Sequence, residues 1–144
     1  MREVIPTKLW LGNALDARDI RGVLGCGIAA IIDLAIEEPP IQFPRDIVYC
    51  RFPLIDGAGN QAAILRVAVE TVARLMDSGT PTLVSCGAGM SRSPAIVAAA
   101  IARTEGTSLA DALTRLTAGH PHDVSPGLLA EISKLLTANS TVAT

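Results

Sequence analysis

The stretch Thr82-Leu83-Val84-Ser85-Cys86-Gly87-Ala88-Gly89-Met90-Ser91-Arg92-Ser93-Pro94 restricts the fold of this chain more than any other. An apolar run, Thr82 to Val84, delivers a cysteine into a glycine-bearing turn, and the turn closes on an arginine. Pro94 suits a first helical turn, where its missing N–H costs little. Ala95 to Ala102 are apolar all round, as in a helix buried on most sides. The stretch therefore predicts strand, tight loop and central helix in direct succession.

The residue types in that loop point to one chemistry. If Gly87 to Ser91 curl into a cradle, their N–H groups and the positive end of the following helix face inward and bind a tetrahedral dianion. A thiol at a helix N-terminus beside a cation ionises more readily than a free one, whose pKa is roughly 8.5. Cys86 is thus the candidate nucleophile. Arg92 carries a planar fork of donors for two phosphoryl oxygens. Gly89 permits a tight backbone path, and the Ser93 hydroxyl is placed to steady the sulfur as a leaving group. A cysteine six residues before an arginine is weak evidence alone; the strand, glycines, serine and apolar helix around the pair make it specific.

Cys86-Gly87-Ala88-Gly89-Met90-Ser91-Arg92-Ser93 resembles the signature loop of cysteine-based protein phosphatases, in particular the dual-specificity branch, with Cys, five residues, Arg, then Ser or Thr. A segment similar to Ile5-Pro6-Thr7-Lys8-Leu9-Trp10-Leu11-Gly12 opens the domain in that family. The resemblance implies a phosphocysteine intermediate and an aspartate acting as general acid from a loop before the cysteine. Asp56, in Pro53-Leu54-Ile55-Asp56-Gly57-Ala58-Gly59-Asn60, stands on such a loop, and the two glycines suggest a mobile element. Asp33, inside an apolar strand, is the weaker candidate and suits a hydrogen bond to nearby backbone. One departure is Ser85, where the family usually has His: a hydroxyl has a different geometry and no charge.

The remaining chain fits a layered fold. Val4 to Pro6 and Leu9 to Leu11 read as short strands, and Asn13 as the cap of a helix with Leu15, Ile20 and Leu24 on one face. Ile28 to Leu34 is a continuous apolar run of the buried parallel type, broken by Glu37-Glu38-Pro39-Pro40; Ile47 to Phe52 is the next strand. Gln61 to Asp77 is an amphipathic helix with Ile64, Val67 or Ala68, Val72 and Leu75 on its stripe and Arg66, Glu70 and Arg74 on the other side. Ser108 and Ser125-Pro126 start two further helices. Together these predict a three-layer α/β fold, a mainly parallel sheet of four or five strands flanked by helices, over residues 1–137, with 138–144 a frayed polar tail. Trp10 reads as a packing residue.

Composition sets the bounds. Hydrophobic residues at 49% supply a core, and aromatics at 3% leave Ala, Val, Ile and Leu to fill it. A net charge of −2 with dispersed Lys and Arg gives no nucleic-acid footprint and no polybasic membrane patch. No apolar run reaches a membrane span and no signal peptide opens the chain, so a soluble cytoplasmic protein is expected. Cys26, Cys50 and Cys86 fit neither a disulfide framework nor a zinc site; Cys26 and Cys50 read as core, with a resolving role towards Cys86 as the lesser alternative. His120 and His122 read as solvated loop residues, and neither a metal nor a cofactor is called for.

The expected activity is hydrolysis of phosphotyrosine monoesters, with phosphoserine and phosphothreonine as further candidates. Gly87, Ala88, Gly89, Met90, Ser91 and Arg92 bind the phosphoryl group, and Cys86, Arg92, Asp56 and Ser93 carry the chemistry. The loop interior has no Lys to meet extra phosphates, which favours a phosphorylated protein over a polyphosphorylated inositol lipid; Met90 would give the pocket an apolar wall. Two rivals stand beside this reading: a pseudophosphatase that binds phosphorylated partners without turning them over, motivated by Ser85, and a rhodanese-like sulfurtransferase, which has no use for Asp56.

Overall fold

The computed structural model describes residues 1–142, with side chains through Ala138. Five strands, β1 (Arg2–Ile5), β2 (Leu9–Asn13), β3 (Ala30–Ala35), β4 (Val48–Leu54) and β5 (Thr82–Cys86), form one sheet in the order β1-β2-β5-β3-β4. β1 is antiparallel to β2; the other pairings are parallel. The sheet is therefore mainly parallel, as the buried runs of β3 and β5 predict.

Among the described residues six helices cover it: α1 (Ala14–Arg18), α2 (Ile20–Gly25), α3 (Ala62–Asp77), α4 (Arg92–Glu105), α5 (Leu109–Thr117) and α6 (Pro126–Val142). Period-two alternation divides the core into two layers. Leu9, Leu11, Ile32, Leu34 and Val84 point into a large cluster with α3 to α6, while Trp10, Ile31 and Leu83 point to a smaller one with Ala17 and Val23 of α1 and α2. Trp10 is buried there as packing. Ala95 to Ala102 of α4 are all buried, so α4 is the central helix of the larger layer. No helix among the described residues is long and apolar enough to cross a membrane.

Several expectations are corrected. The single helix predicted after Asn13 is two, because Asp19 leaves the helical region (φ −80°, ψ 82°) and caps α2 by accepting from Gly22 N–H. That break resets the helical phase: Leu15 and Leu24 are exposed, and Ala17 and Val23 are buried instead. Asn13 does cap α1, in a reciprocal box with Asp16. On α3 the buried stripe takes Ala68 and not Val67, and Glu70 pairs with Arg103 of α4 at 3.2 Å. Cys26 is exposed at the C-cap of α2, while Cys50 is half-buried against the larger cluster. α6 runs through Val142, into the segment expected to be a tail; Ala143 and Thr144 lie outside the described residues.

Candidate active site

Cys86 is the last residue of β5, at the carboxyl end of a central strand, the edge where α/β sheets collect ligands. Its sulfur is buried and accepts from the Ser93 N–H in the first turn of α4 at 3.5 Å. The loop between is seated on the start of α1: Ala14 N–H donates to Gly87 O at 3.1 Å. Gly89 has φ 75°, and a Cβ there would lie 2.9 Å from Gly12 O, so glycine is required by conformation and by space.

Arg92 is 6% exposed and gripped from behind. Its Nη1 donates to Glu37 Oε2 at 2.7 Å and to Leu54 O at 3.0 Å, and its Nη2 donates to Glu37 Oε1 at 2.5 Å. A guanidinium has five N–H donors. Three are thereby committed, leaving the Nε–H and one Nη2–H, the side-on fork; Nε is buried without a partner among the described residues. The bond from Arg92 holds the Glu37 carboxyl below its ordinary value, and the same bond pushes the Arg92 guanidinium up. The grip is complete at and above the ordinary carboxyl range and is lost only as pH falls through the lowered Glu37 value. A Cβ at Gly87 would lie 2.6 Å from Glu37 Oε1, so this glycine makes room for the carboxylate.

Asp56 reaches the loop from the segment after β4. Its Oδ1 accepts from Ser91 Oγ at 2.5 Å, and Ser91 Oγ accepts from Ser125 N–H at 2.9 Å. Asp56, Cys86, Ala88, Met90, Ser91, Arg92 and Asp123 line one cavity of about 140 Å³. The cavity thus joins a sulfur, a guanidinium with a free bidentate edge and a carboxylate. These are the parts of phosphoryl transfer to a thiolate.

Residues 9–133 match the family described as dual specificity phosphatase, catalytic domain. The chain belongs to the dual-specificity phosphatase family. It is 31% identical to the Drosophila melanogaster dual specificity protein phosphatase Mpk3 over 86% of this chain, and 32% identical to human dual specificity protein phosphatase 15 over 97%. It spans 30% of the length of the first and 48% of the second. The crystal structure of human DUSP28 superposes with a TM-score of 0.83 at 26% identity, covering 97% of this chain and 98% of that one. Fold and family therefore agree with the resemblance seen in the signature loop.

Within this dual-specificity phosphatase domain, Asp56, Ala88, Met90, Ser91 and Arg92 meet Cys86 at the cavity; Gly87 and Gly89 do not line it, Gly87 lying against Glu37 and Arg92 and Gly89 against Gly12. Ser93 approaches the sulfur through its backbone N–H; its hydroxyl is fully buried without a hydrogen-bond partner, where the sequence expected the hydroxyl itself on the sulfur. Asp33 accepts from Tyr49 Oη at 2.6 Å and from Ala35 N–H at 3.1 Å, which makes it a structural acceptor. Burial first, then that bond, pushes the Tyr49 phenol up. His120 and His122 are exposed. Among the described residues no three His, Cys, Asp or Glu side chains converge as a metal site.

Glu37 is the residue that sequence reasoning missed, since its stretch reads only as a breaker after β3. A signal did exist: it is an acidic residue just past a central strand's carboxyl end. Glu37→Gln should lower kcat/KM for an aryl phosphate by about tenfold, the weight of one charge-assisted hydrogen bond, mostly through KM. Unchanged steady-state kinetics would leave Leu54 O as the sole orienter of Arg92.

Proposed function

We propose that this chain is a cysteine-dependent protein phosphatase that hydrolyses phosphotyrosine monoesters, and phosphoserine and phosphothreonine monoesters with them, through a phosphocysteine intermediate. The observation that carries the reading is one cavity lined by Cys86, Arg92 and Asp56, with Arg92 Nε–H left without a partner among the described residues. The Cys86 thiolate attacks phosphorus and forms the S–P bond as the ester P–O bond breaks. The leaving oxygen takes the proton of Asp56. The Arg92 fork and the amides of Gly87 to Ser91 hold the phosphoryl oxygens throughout. Water then attacks phosphorus, Asp56 takes its proton, and the S–P bond breaks to return the thiolate, which the Ser93 N–H and its unpartnered hydroxyl are placed to receive. A loop interior without Lys supports a phosphorylated protein as substrate.

Asp56→Asn tests the acid. It should cost about 10² in kcat/KM, which ends at the phosphorylation step, for phenyl phosphate, whose leaving oxygen needs the proton, and within about threefold for 4-nitrophenyl phosphate, whose leaving oxygen does not. Equal losses on both would reassign the acid. A second reading, a domain that binds phosphorylated partners without turnover, is favoured by Ser85, buried where the family usually has His. Phosphate release from a panel of phosphopeptides at saturating concentration separates the two: binding with no release selects the second.

A further inference from the structure

The loop carrying Asp56 is fastened by the last helix of the chain. Glu131 of α6 receives two successive backbone N–H groups, Gly59 N–H on Oε2 at 3.2 Å and Asn60 N–H on Oε1 at 3.4 Å. Gly59 adopts φ 101°, a left-handed conformation that suits glycine. Asn60 passes the restraint inward. Its carboxamide accepts from Ile55 N–H at 2.8 Å and donates to Ile55 O at 3.0 Å and Gly57 O at 3.1 Å, gripping both neighbours of Asp56. α6 touches the loop at one further point, and the residue just before α6 reaches Asp56 through Ser91. A Cβ at Gly127 would lie 3.0 Å from Ala58 N, so helix and loop backbones are in direct contact. Ser125 N–H holds the hydroxyl that donates to Asp56. The segment read from sequence as mobile is thus tied at both ends of Asp56.

We propose that α6 is the dock of the acid loop and that Glu131 is its latch, a positioning residue that acts on the reaction through Asn60 and Asp56. The inference rests on the reading of Asp56 as general acid. Glu131 does not line the cavity, and its removal leaves Cys86, Arg92 and the cradle amides untouched. What it changes is where the Asp56 carboxyl stands. Misplacing a catalytic group by about an ångström costs up to 10²-fold, and in the phosphorylation step, which kcat/KM reports, that cost falls only on substrates that need the proton.

The test uses the full chain with Glu131→Ala, Glu131→Gln and Asp56→Asn, each assayed on phenyl phosphate and on 4-nitrophenyl phosphate, with amide exchange of Gly59 and Asn60 followed in parallel. Glu131→Ala is expected to lower kcat/KM on phenyl phosphate by about tenfold and to change it within about twofold on 4-nitrophenyl phosphate. The Gly59 and Asn60 amides should exchange faster. Glu131→Gln, whose single carboxamide oxygen can keep one of the two N–H bonds, should fall between the wild-type chain and Glu131→Ala and protect one of the two amides. Equal loss on the two substrates, or no loss, overturns the latch, as does unchanged exchange at both amides. If Asp56→Asn separates the substrates and Glu131→Ala does not, the latch falls and the acid stands. If Asp56→Asn fails to separate them, the acid reading falls and takes the latch with it.

Discussion

Cys86→Ser should lower kcat for an aryl phosphate by about 10³-fold or more while inorganic phosphate still binds. The exchange of sulfur for oxygen is small, and residue 86 sits at the end of β5 among buried neighbours, so the cradle keeps its shape. The chemistry does not survive. A serine hydroxyl needs an adjacent base to become a nucleophile, whereas a thiol needs only an environment that favours its anion. The partner of the sulfur here is a donor, Ser93 N–H, and the preceding residue is Ser85, so no base stands ready to take a hydroxyl proton. Binding of inorganic phosphate, followed calorimetrically, should persist because Arg92 and the loop amides are unchanged. Retained turnover would move the nucleophile elsewhere, and the other cysteines offer no substitute: Cys26 is exposed at the end of α2, and Cys50 lies on β4 away from the cavity lining.

What the chain discloses in sequence is what is local. The Cys86 to Ser93 loop is contiguous, the run of β3 carries the mark of a strand buried on both faces, and Asp56 announces itself by standing just before two glycines past a strand end. The capping of α1 by Asn13 is equally local. Topology supplies the rest. β5 is inserted between β2 and β3, with Asp33 in register with Ser85, and this brings the end of β3 beside the cysteine. Glu37, just beyond β3, can then reach Arg92 across 55 positions of sequence. Glu131 meets Gly59 across 72, through the docking of α6 on the loop. No periodicity encodes such a meeting. The misplaced face of the first helix has a different origin: Asp19 is polar and exposed either as a helical surface residue or as a cap, and only the second breaks the phase that would have buried Leu15 and Leu24.

Arg92→Lys keeps the charge and should still lower kcat/KM for an aryl phosphate by about 10²- to 10³-fold, the scale of losing a preorganised transition-state donor. The reason is a count of hydrogens. Arg92 spends three donors on Glu37 and Leu54 O and keeps the remaining two, Nε–H and one Nη2–H, as a fork. A lysine ammonium has three donors on one atom. If they satisfy both Glu37 oxygens and Leu54 O, none faces the phosphoryl group. If the ammonium turns to the phosphoryl group, Leu54 O, on a fully buried residue, loses its partner and Glu37 is released. Both arrangements weaken ground-state binding and weaken transition-state binding more, so kcat should fall as KM rises. Glu37→Gln in the Arg92→Lys background should then cost far less than the same change in the wild-type chain, because the fork it orients is already gone. Additive losses in that cycle would mean that Glu37 and Arg92 act separately, and a loss of less than about threefold in Arg92→Lys alone would mean that charge, and not the geometry of the fork, holds the phosphoryl group.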